Sequence, residues 1–122
     1  MKKKILVVDD EPDICTLLSE GLKHAGYDVV TATTGIDGLE LARKQRPDLI
    51  VLDICLPDVD GVVVYETLRE MALHEKTPVI FLTALATGTD MRIGGTTDTS
   101  YTIIPKPAKL DDIQKEISRL IR

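Results

Sequence analysis

Three charged residues, each at the end of a short apolar run, are the side chains of this chain best placed for chemistry. Asp10 closes Ile5-Leu6-Val7-Val8-Asp9-Asp10, Asp53 closes Leu49-Ile50-Val51-Leu52-Asp53, and Lys106 follows Ile103-Ile104-Pro105. A continuous apolar run that stops at a charge is typical of a strand buried on both faces. In an open parallel sheet the carboxyl ends of such strands share the edge where ligands bind. The pattern therefore predicts one crevice with two acidic strand ends and one basic strand end, which suits a divalent cation and a phosphoryl group.

The acidic residues at the first of these strand ends have two interpretations. Asp9, Asp10 and Glu11 could simply favour the N-terminus of the following helix. Asp53 favours the second interpretation, a cation-binding site, because a second acidic strand end on a neighbouring strand would lie within a few ångströms. Carboxylates gathered so closely repel one another unless a cation joins them. Mg²⁺ suits the site, since it takes oxygen ligands and commonly rests on one or two carboxylates plus phosphate oxygens.

Two further residues are predicted to lie at the same edge. Lys106, held between Pro105 and Pro107, is more restrained than an ordinary surface lysine and can reach a phosphoryl oxygen. Thr83 ends the apolar run 79–82, and its hydroxyl could donate to the same oxygen. Small Ala84 beside it leaves room for approach. The alternatives are that Lys106 is an ordinary surface lysine and that Thr83 is an ordinary strand threonine.

Size and composition indicate one globular domain in a reducing compartment. The 122 residues are 43% hydrophobic but only 3% aromatic, so aliphatic side chains must fill the core. A net charge of −5 argues against a nucleic-acid surface, which would show clustered lysine and arginine. The apolar run after Lys2-Lys3-Lys4 is too short for a signal peptide, and no run reaches membrane-spanning length. Cys15 and Cys55 have no zinc-binding spacing, so a cytoplasmic protein without a membrane partner is expected.

Strand-like and helix-like segments alternate along the chain, which predicts βα units and a parallel sheet covered by helices. The predicted strands are Lys4–Val8, Asp28–Ala32, Leu49–Leu52, Val79–Leu82 and Tyr101–Ile104. The predicted helices begin at Pro12 and stop before Gly26, and then cover Ile36–Lys44, Val62–Ala72 and Lys109–Ile121. Between Thr83 and Tyr101 the alternation requires one more helix. Three glycines and five threonines there predict that this fourth helix is short, distorted or absent.

Four motifs in this order resemble the response-regulator receiver (CheY-like) domain of two-component signal transduction, over nearly the whole chain. They are Leu6-Val7-Val8-Asp9-Asp10-Glu11, the segment from Leu52 to Gly61 (LDICLPDVDG), Phe81-Leu82-Thr83-Ala84 and Pro105-Lys106-Pro107. The resemblance implies a single receiver domain over residues 1–122. It also implies a three-layer, doubly wound, five-stranded parallel sheet of flavodoxin-like order 2-1-3-4-5.

The resemblance assigns a role to each site residue. Asp53 would be the phosphoacceptor, attacking the phosphohistidine of a sensor histidine kinase or phosphotransfer protein. Asp10, Asp53 and the backbone carbonyl of Cys55 would bind Mg²⁺, with Asp9 acting through water or as a direct ligand. Thr83 and Lys106 would contact the phosphoryl oxygens, and the Lys106–Pro107 peptide bond is expected to be cis. Such a domain is a regulator that assists its own phosphorylation and dephosphorylation, not an enzyme acting on a separate substrate.

The chain departs from the family pattern on the predicted fifth strand. Receivers usually carry an aromatic residue three positions before the lysine, whose rotamer couples to the threonine; here that residue is Ile103. Either Tyr101, on the same face, takes over the switch role with Thr83, or the aromatic switch is missing. Ala108 also stands where a bulky apolar residue is common. We hypothesise that the phosphoryl chemistry is intact while the output surface, through which many receivers dimerise or bind a downstream protein, is rebuilt.

Two other functions remain open at this point. A phosphorylation-independent pseudo-receiver could use the same fold as an interaction module. The presence of Asp10, Asp53, Thr83 and Lys106 counts against this alternative, whereas the missing aromatic residue keeps it open. A small phosphohydrolase could also use an aspartyl-phosphate intermediate. However, the first strand lacks a DxD nucleophile pattern, and the chain has no cap domain to enclose a substrate.

Overall fold

The computed structural model of the chain describes residues 2–84 and 101–121. Five parallel strands form one sheet in the order β2-β1-β3-β4-β5. The strands are β1 (Lys4–Val8), β2 (Asp28–Ala32), β3 (Leu49–Asp53), β4 (Val79–Thr83) and β5 (Tyr101–Pro105). The predicted flavodoxin-like order is therefore confirmed. β3, β4 and β5 each extend one residue beyond the predicted end, so that Asp53 and Thr83 are the last residues of their strands.

Four α-helices lie in the described part of the chain. They are α1 (Pro12–His24), α2 (Gly35–Gln45), α3 (Gly61–Glu70) and α4 (Leu110–Leu120). Gly26, with a φ of 103°, ends the first helical segment as its position predicts. The prediction about the helix between Thr83 and Tyr101 falls on residues 85–100, outside the described residues. No helix of the described ranges is long and apolar enough to cross a membrane.

Two apolar layers pack on opposite faces of the sheet, because successive strand residues point to opposite sides. On one face, strand residues such as Leu6, Leu52 and Phe81 pack with Ala42 of α2 and Leu68 of α3. On the other face, alternate strand residues pack against α1 and α4; they include Ile5, Val7, Val51, Ile80 and Leu82. The result is the predicted three-layer arrangement, in which β1 lies between β2 and β3 in the sheet.

The end of α3 differs from the prediction. The helix stops at Glu70 instead of Ala72, and a 3₁₀ turn covers Ala72–His74. The His74 ring is buried, with Nε2 2.7 Å from the Ala42 carbonyl oxygen and Nδ1 2.8 Å from Thr77 Oγ1. The ring joins this turn to α2, because a hydrogen bond from Nε2–H satisfies a carbonyl in the last turn of that helix.

Candidate functional site

The ends of four strands bring the predicted site residues to one edge of the sheet. Asp9 and Asp10 directly follow β1, Asp53 ends β3, Thr83 ends β4, and Lys106 follows β5. The backbone of Lys106 is tied to this edge, because its N–H donates to the Thr83 carbonyl oxygen at 2.7 Å. β1 and β3 are neighbours whose last paired residues are Val8 and Leu52, so the acidic strand ends face one another. The edge is the one where ligands bind in open α/β sheets.

The side chains at this edge form a compact cluster of opposite charges. Carboxylate oxygens of Asp9, Asp10 and Asp53 all lie within 4.8 Å of one another. Lys106 Nζ lies 2.9 Å from Asp9 Oδ2 and 3.1 Å from Asp53 Oδ2, while Glu11 Oε1 is more distant at 3.7 Å. Asp9 and Asp53 are buried, at 1% and 3% exposure, whereas Asp10 is exposed. One ammonium group therefore faces at least three carboxylates.

The hydrogen bonds of the two buried carboxylates leave one oxygen without a donor. Asp53 Oδ1 accepts from the Cys55 N–H at 3.0 Å, and Asp53 Oδ2 accepts from Lys106 Nζ. Asp9 Oδ1 accepts from the Glu11 N–H at 2.9 Å. Asp9 Oδ2 accepts no hydrogen bond although it is buried; its contact with Lys106 is an ion pair without hydrogen-bond alignment. The Lys106 ammonium neutralises only part of the negative charge of Asp9, Asp10 and Asp53, and clustered carboxylates are costly unless further positive charge joins them. These residues therefore fit a hard divalent cation such as Mg²⁺.

The charges in the cluster shift the pKa values of both Asp53 and Lys106. Burial raises the pKa of Asp53, and the neighbouring Asp9 carboxylate adds to the rise, while the Cys55 N–H and the Lys106 ammonium oppose it. Burial alone would lower the pKa of Lys106. The close Asp9 and Asp53 carboxylates, the latter hydrogen-bonded to the ammonium group, outweigh that effect, so the pKa of Lys106 is raised. Lys106 therefore remains a cation at neutral pH.

The loop after β3 holds the main chain of Cys55 beside the Asp53 carboxylate. Cys55 pairs with Asp60 in an antiparallel bridge, and the Gly61 N–H donates to the Ile54 carbonyl oxygen at 2.8 Å. The Cys55 thiol side chain itself is exposed. The prediction that Cys55 contributes through its backbone is consistent with this placement, because its N–H already contacts Asp53.

The β4 and β5 strand ends place the switch candidates in different locations. Thr83 is buried at the site edge and pairs with Pro105, while Ile103 pairs with Phe81 further back along the sheet. Tyr101 pairs with Val79, four residues before Thr83, which is about 13 Å along a strand. The structure therefore brings Thr83 to the site and does not bring Tyr101 there.

The Tyr101 ring belongs to an aromatic cluster on the α3 side of the sheet. Its centroid lies 5.6 Å from that of Tyr65 and 5.8 Å from that of Phe81, both in edge-to-face geometry. Ile103 packs on the same face, as the strand alternation predicted. The peptide bond between Lys106 and Pro107 is cis, as the family resemblance implied.

One residue near the site was not recognised from the sequence. The segment 57–61 reads as a turn, but Asp58 accepts hydrogen bonds from two backbone N–H groups at the start of α2, from Gly35 at 2.8 Å and from Ile36 at 2.9 Å. The only sequence signal was general: the first N–H groups of a helix need partners. Nothing local indicates that the partner lies 23 residues further along the chain.

Comparison with known proteins agrees with this site. The chain is 40% identical over 119 residues to RpaA of Synechocystis, a DNA-binding dual master transcriptional regulator; the match covers 98% of this chain and 49% of RpaA. The chain spans about half the length, or less, of the curated relatives that it matches. These relatives are transcriptional regulators by description.

Two solved structures are similar over almost the whole chain. The chemotaxis response regulator CheY4 of Vibrio cholerae superposes with a TM-score of 0.90 at 28% identity, covering 99% of this chain and 100% of CheY4. The receiver domain of the sensor histidine kinase PA1611 of Pseudomonas aeruginosa superposes with a TM-score of 0.86 at 30% identity, covering 99% and 98%. That crystal structure has a magnesium ion coordinated in the active-site cleft. Residues 5–118 match the family model of the response regulator receiver domain, and the chain therefore belongs to this family of two-component signalling domains.

Proposed function

We propose that this chain is a phosphoacceptor switch, in which Asp53 receives a phosphoryl group from the phosphohistidine of a sensor histidine kinase or phosphotransfer protein. The observation that carries the proposal is the position of the Asp53 carboxylate. It lies at the ligand-binding edge of the sheet, 3.1 Å from the Lys106 ammonium group and within 4.8 Å of two further carboxylates. Membership in the receiver family supports it.

The proposed transfer needs an ionised nucleophile and neutralisation of the phosphoryl charge. An Asp53 oxygen attacks phosphorus, the bond from phosphorus to the imidazole nitrogen breaks, and the imidazole leaves with the electron pair and takes up a proton. Burial raises the pKa of Asp53, and the adjacent Lys106 ammonium opposes that rise and so favours the carboxylate form. After transfer, Lys106 exchanges its contact with the carboxylate for one with a phosphoryl oxygen. Positioning and charge neutralisation account for most catalysis of such transfers.

The acidic cluster is proposed to hold Mg²⁺, which supplies positive charge opposite Lys106. Asp10, Asp53, the Cys55 carbonyl and Asp9, directly or through water, are the proposed ligands. The clustering of three carboxylates beside the Lys106 ammonium group supports this assignment, as does the magnesium ion in the related PA1611 receiver. Thr83, at the end of β4, is proposed to contact the phosphoryl group from the remaining side.

The proposed output is a change in affinity for a downstream protein partner in the cytoplasm. The relatives that this chain matches over about half of their length are transcriptional regulators. We therefore propose that the phosphorylation state of Asp53 controls a DNA-binding effector, without direct contact between this domain and nucleic acid.

Intact mass measurement after incubation with Mg²⁺ and acetyl phosphate tests the proposal directly. The wild-type chain should gain the mass of one phosphoryl group in a Mg²⁺-dependent reaction, and Asp53→Asn should gain none. Asp28→Asn is the matched control, because it makes the same chemical change at an exposed carboxylate of β2 and should leave labelling intact.

The result that would overturn the proposal is also specific. If no adduct forms while a known receiver is labelled, and beryllofluoride does not bind either, Asp53 is not a phosphoacceptor and the interaction-module function is favoured. Turnover of an added phosphomonoester by the wild-type chain would instead favour a phosphohydrolase.

A further inference from the structure

Asp58 connects the loop after β3 to the start of α2 through both of its carboxylate oxygens. Oδ1 accepts from the Gly35 N–H at 2.8 Å and Oδ2 accepts from the Ile36 N–H at 2.9 Å. These two hydrogen bonds lower the pKa of Asp58, with the bond from Ile36 as the larger cause. The carboxylate is therefore ionised at neutral pH, where the positive end of the helix dipole also favours it.

The apolar packing beside this contact is tight. A Cβ atom on Gly35 would lie 2.3 Å from Val59 Cγ2 and 2.9 Å from Val64 Cγ2, so only glycine allows the helix start to approach the loop this closely. Val59 of the loop and Val64 of α3 thus lie against the start of α2 beside the Asp58 carboxylate. The loop and the first turn of α2 consequently form one packed unit.

The start of α2 is also connected, through β2, to the end of β1 that precedes Asp9 and Asp10. α2 follows β2, whose last residue Ala32 pairs with Val8 of β1. The Asp9 N–H donates to the Ala32 carbonyl oxygen at 3.0 Å. One hydrogen bond therefore joins the Asp9 backbone to the end of β2, a short covalent segment leads from there to the start of α2, and two further hydrogen bonds join that helix start to Asp58.

We propose that Asp58 is a positioning residue for the cation site, fixing the Cys55 main chain and the Asp53 carboxylate at their distance from Asp9 and Asp10. This inference rests on the proposed function. Without the Asp58 contact, the loop remains anchored at its ends by the Cys55–Asp60 bridge and the Gly61 hydrogen bond. Its middle is then free to move away from α2, and the Cys55 main chain loses this outer support, although the pairing of β1 with β3 still holds the acidic strand ends side by side.

The test is the affinity for Mg²⁺ alone, measured by titration calorimetry on the wild-type chain and on Asp58→Ala and Asp58→Asn. Substitution of a residue that orients a metal ligand commonly lowers the affinity for the metal by about 10–100-fold. Asp58 acts one step further out, so we expect the Kd for Mg²⁺ to rise about fivefold in Asp58→Ala. Asn retains one acceptor oxygen and should give a smaller rise. The amide resonance of Cys55 should shift in both metal-free variants.

Thr34→Ala is the matched control for a purely structural effect on α2. Thr34 Oγ1 caps the same helix by accepting from the Asp37 N–H at 3.1 Å, and no hydrogen bond among the described residues joins its side chain to the loop. Thr34→Ala should lower the free energy of unfolding while leaving the Kd for Mg²⁺ within about twofold of wild type, since a cap contributes mainly to stability.

The outcomes separate this inference from the proposed function. Equal loss of Mg²⁺ affinity in Thr34→Ala and Asp58→Ala, or unchanged affinity in both Asp58 variants, would overturn the positioning role and leave the Asp53 phosphoacceptor intact. A wild-type chain that binds no Mg²⁺ would overturn the proposed cation site, and the positioning role with it.

Discussion

At the level of single residues, the functional requirement on Asp53 opposes stability. A nucleophile must be ionised and accessible from the sheet edge, but burial and the Asp9 carboxylate both disfavour its charge. Lys106 compensates in part, because its ammonium group contacts both carboxylates. Neighbouring carboxylates in the cluster remain uncompensated until a cation binds. We therefore expect the metal-free protein to have a lower free energy of unfolding than it would have without the repulsion among these carboxylates.

Asp53→Asn should make the metal-free protein more stable by about 1 kcal/mol at neutral pH, a size common for single substitutions. Because the pKa of Asp53 is raised on folding, its contribution to stability is fully present below the ordinary value of 3.8 and is lost as the pH rises through the raised pKa. Asparagine does not ionise and avoids that loss. Urea unfolding in the presence of a chelator, at neutral pH and below pH 3.8, measures the difference.

The gain in the free energy of unfolding of Asp53→Asn should disappear at the lower pH, and Asp28→Asn should show no comparable gain at either pH. A wild-type chain more stable than Asp53→Asn at neutral pH would contradict the prediction. It would mean that the ion pair with Lys106 outweighs the cost of burying the charge.

At the level of elements, the start of α3 determines where β3, the strand that carries Asp53, can end. Asp60 caps this helix by accepting from the Val62 N–H at 2.8 Å. Gly61 follows, and a Cβ atom there would lie 2.3 Å from the Asp53 carbonyl oxygen and 2.6 Å from the Ile54 Cα. The contacted atoms are backbone and cannot rotate away, so glycine is required for the close approach of α3 to β3.

Gly61→Ala should lower the free energy of unfolding by about 2–3 kcal/mol, toward the upper range for overpacking, because backbone must move. It should also slow labelling of Asp53 by acetyl phosphate, since the displaced backbone belongs to this proposed phosphoacceptor. Chemical denaturation and the rate of mass increase provide the two measurements.

Gly21→Ala is the comparison for this substitution. A Cβ atom at Gly21 would meet only the end of the Leu110 side chain, which can change rotamer, and alanine favours the interior of α1 by about 1 kcal/mol over glycine. We expect a small change in stability and normal labelling. Similar losses in both variants would indicate that Gly61 has no special relation to the site.

At the level of the whole molecule, the site draws its groups from segments that are distant in sequence. Its carboxylates follow β1 and end β3, and its ammonium group follows β5. These groups meet only when the sheet is assembled and both helix layers are packed. A ligand that binds all of them binds the folded state and not the unfolded chain, so it must stabilise the entire fold.

Mg²⁺ at tenfold excess over its Kd should therefore raise the free energy of unfolding by about 1.4 kcal/mol. The melting temperature should rise by about 5 °C for a domain of this size. Calorimetric melting in a Mg²⁺ series at constant ionic strength tests this, and a chelator should reverse the shift. Asp10→Asn should reduce it strongly; an equal shift in that variant would place the bound cation elsewhere.

The strands and their polar ends could be recognised from local sequence patterns. Continuous apolar runs identify strands buried on both faces, and Asp53, Thr83 and Lys106 each occur where such a run stops. The carboxyl ends of parallel strands necessarily share an edge, so the sequence alone predicted that these residues would meet. The helix boundaries were predicted less accurately than the strands. At the end of α3, for example, tertiary contacts of His74 compete with helical propensity.

Only the tertiary structure decided the contacts between segments that no local pattern relates. The bond from Asp58 to the start of α2, the place of Tyr101 in a ring cluster and the need for glycine at position 61 all depend on how layers pack against one another. Side-chain periodicity specifies which face a residue occupies, but not which residue of another element faces it. Those pairings arise from the relative placement of helices and strands, which is settled only when the whole core is packed.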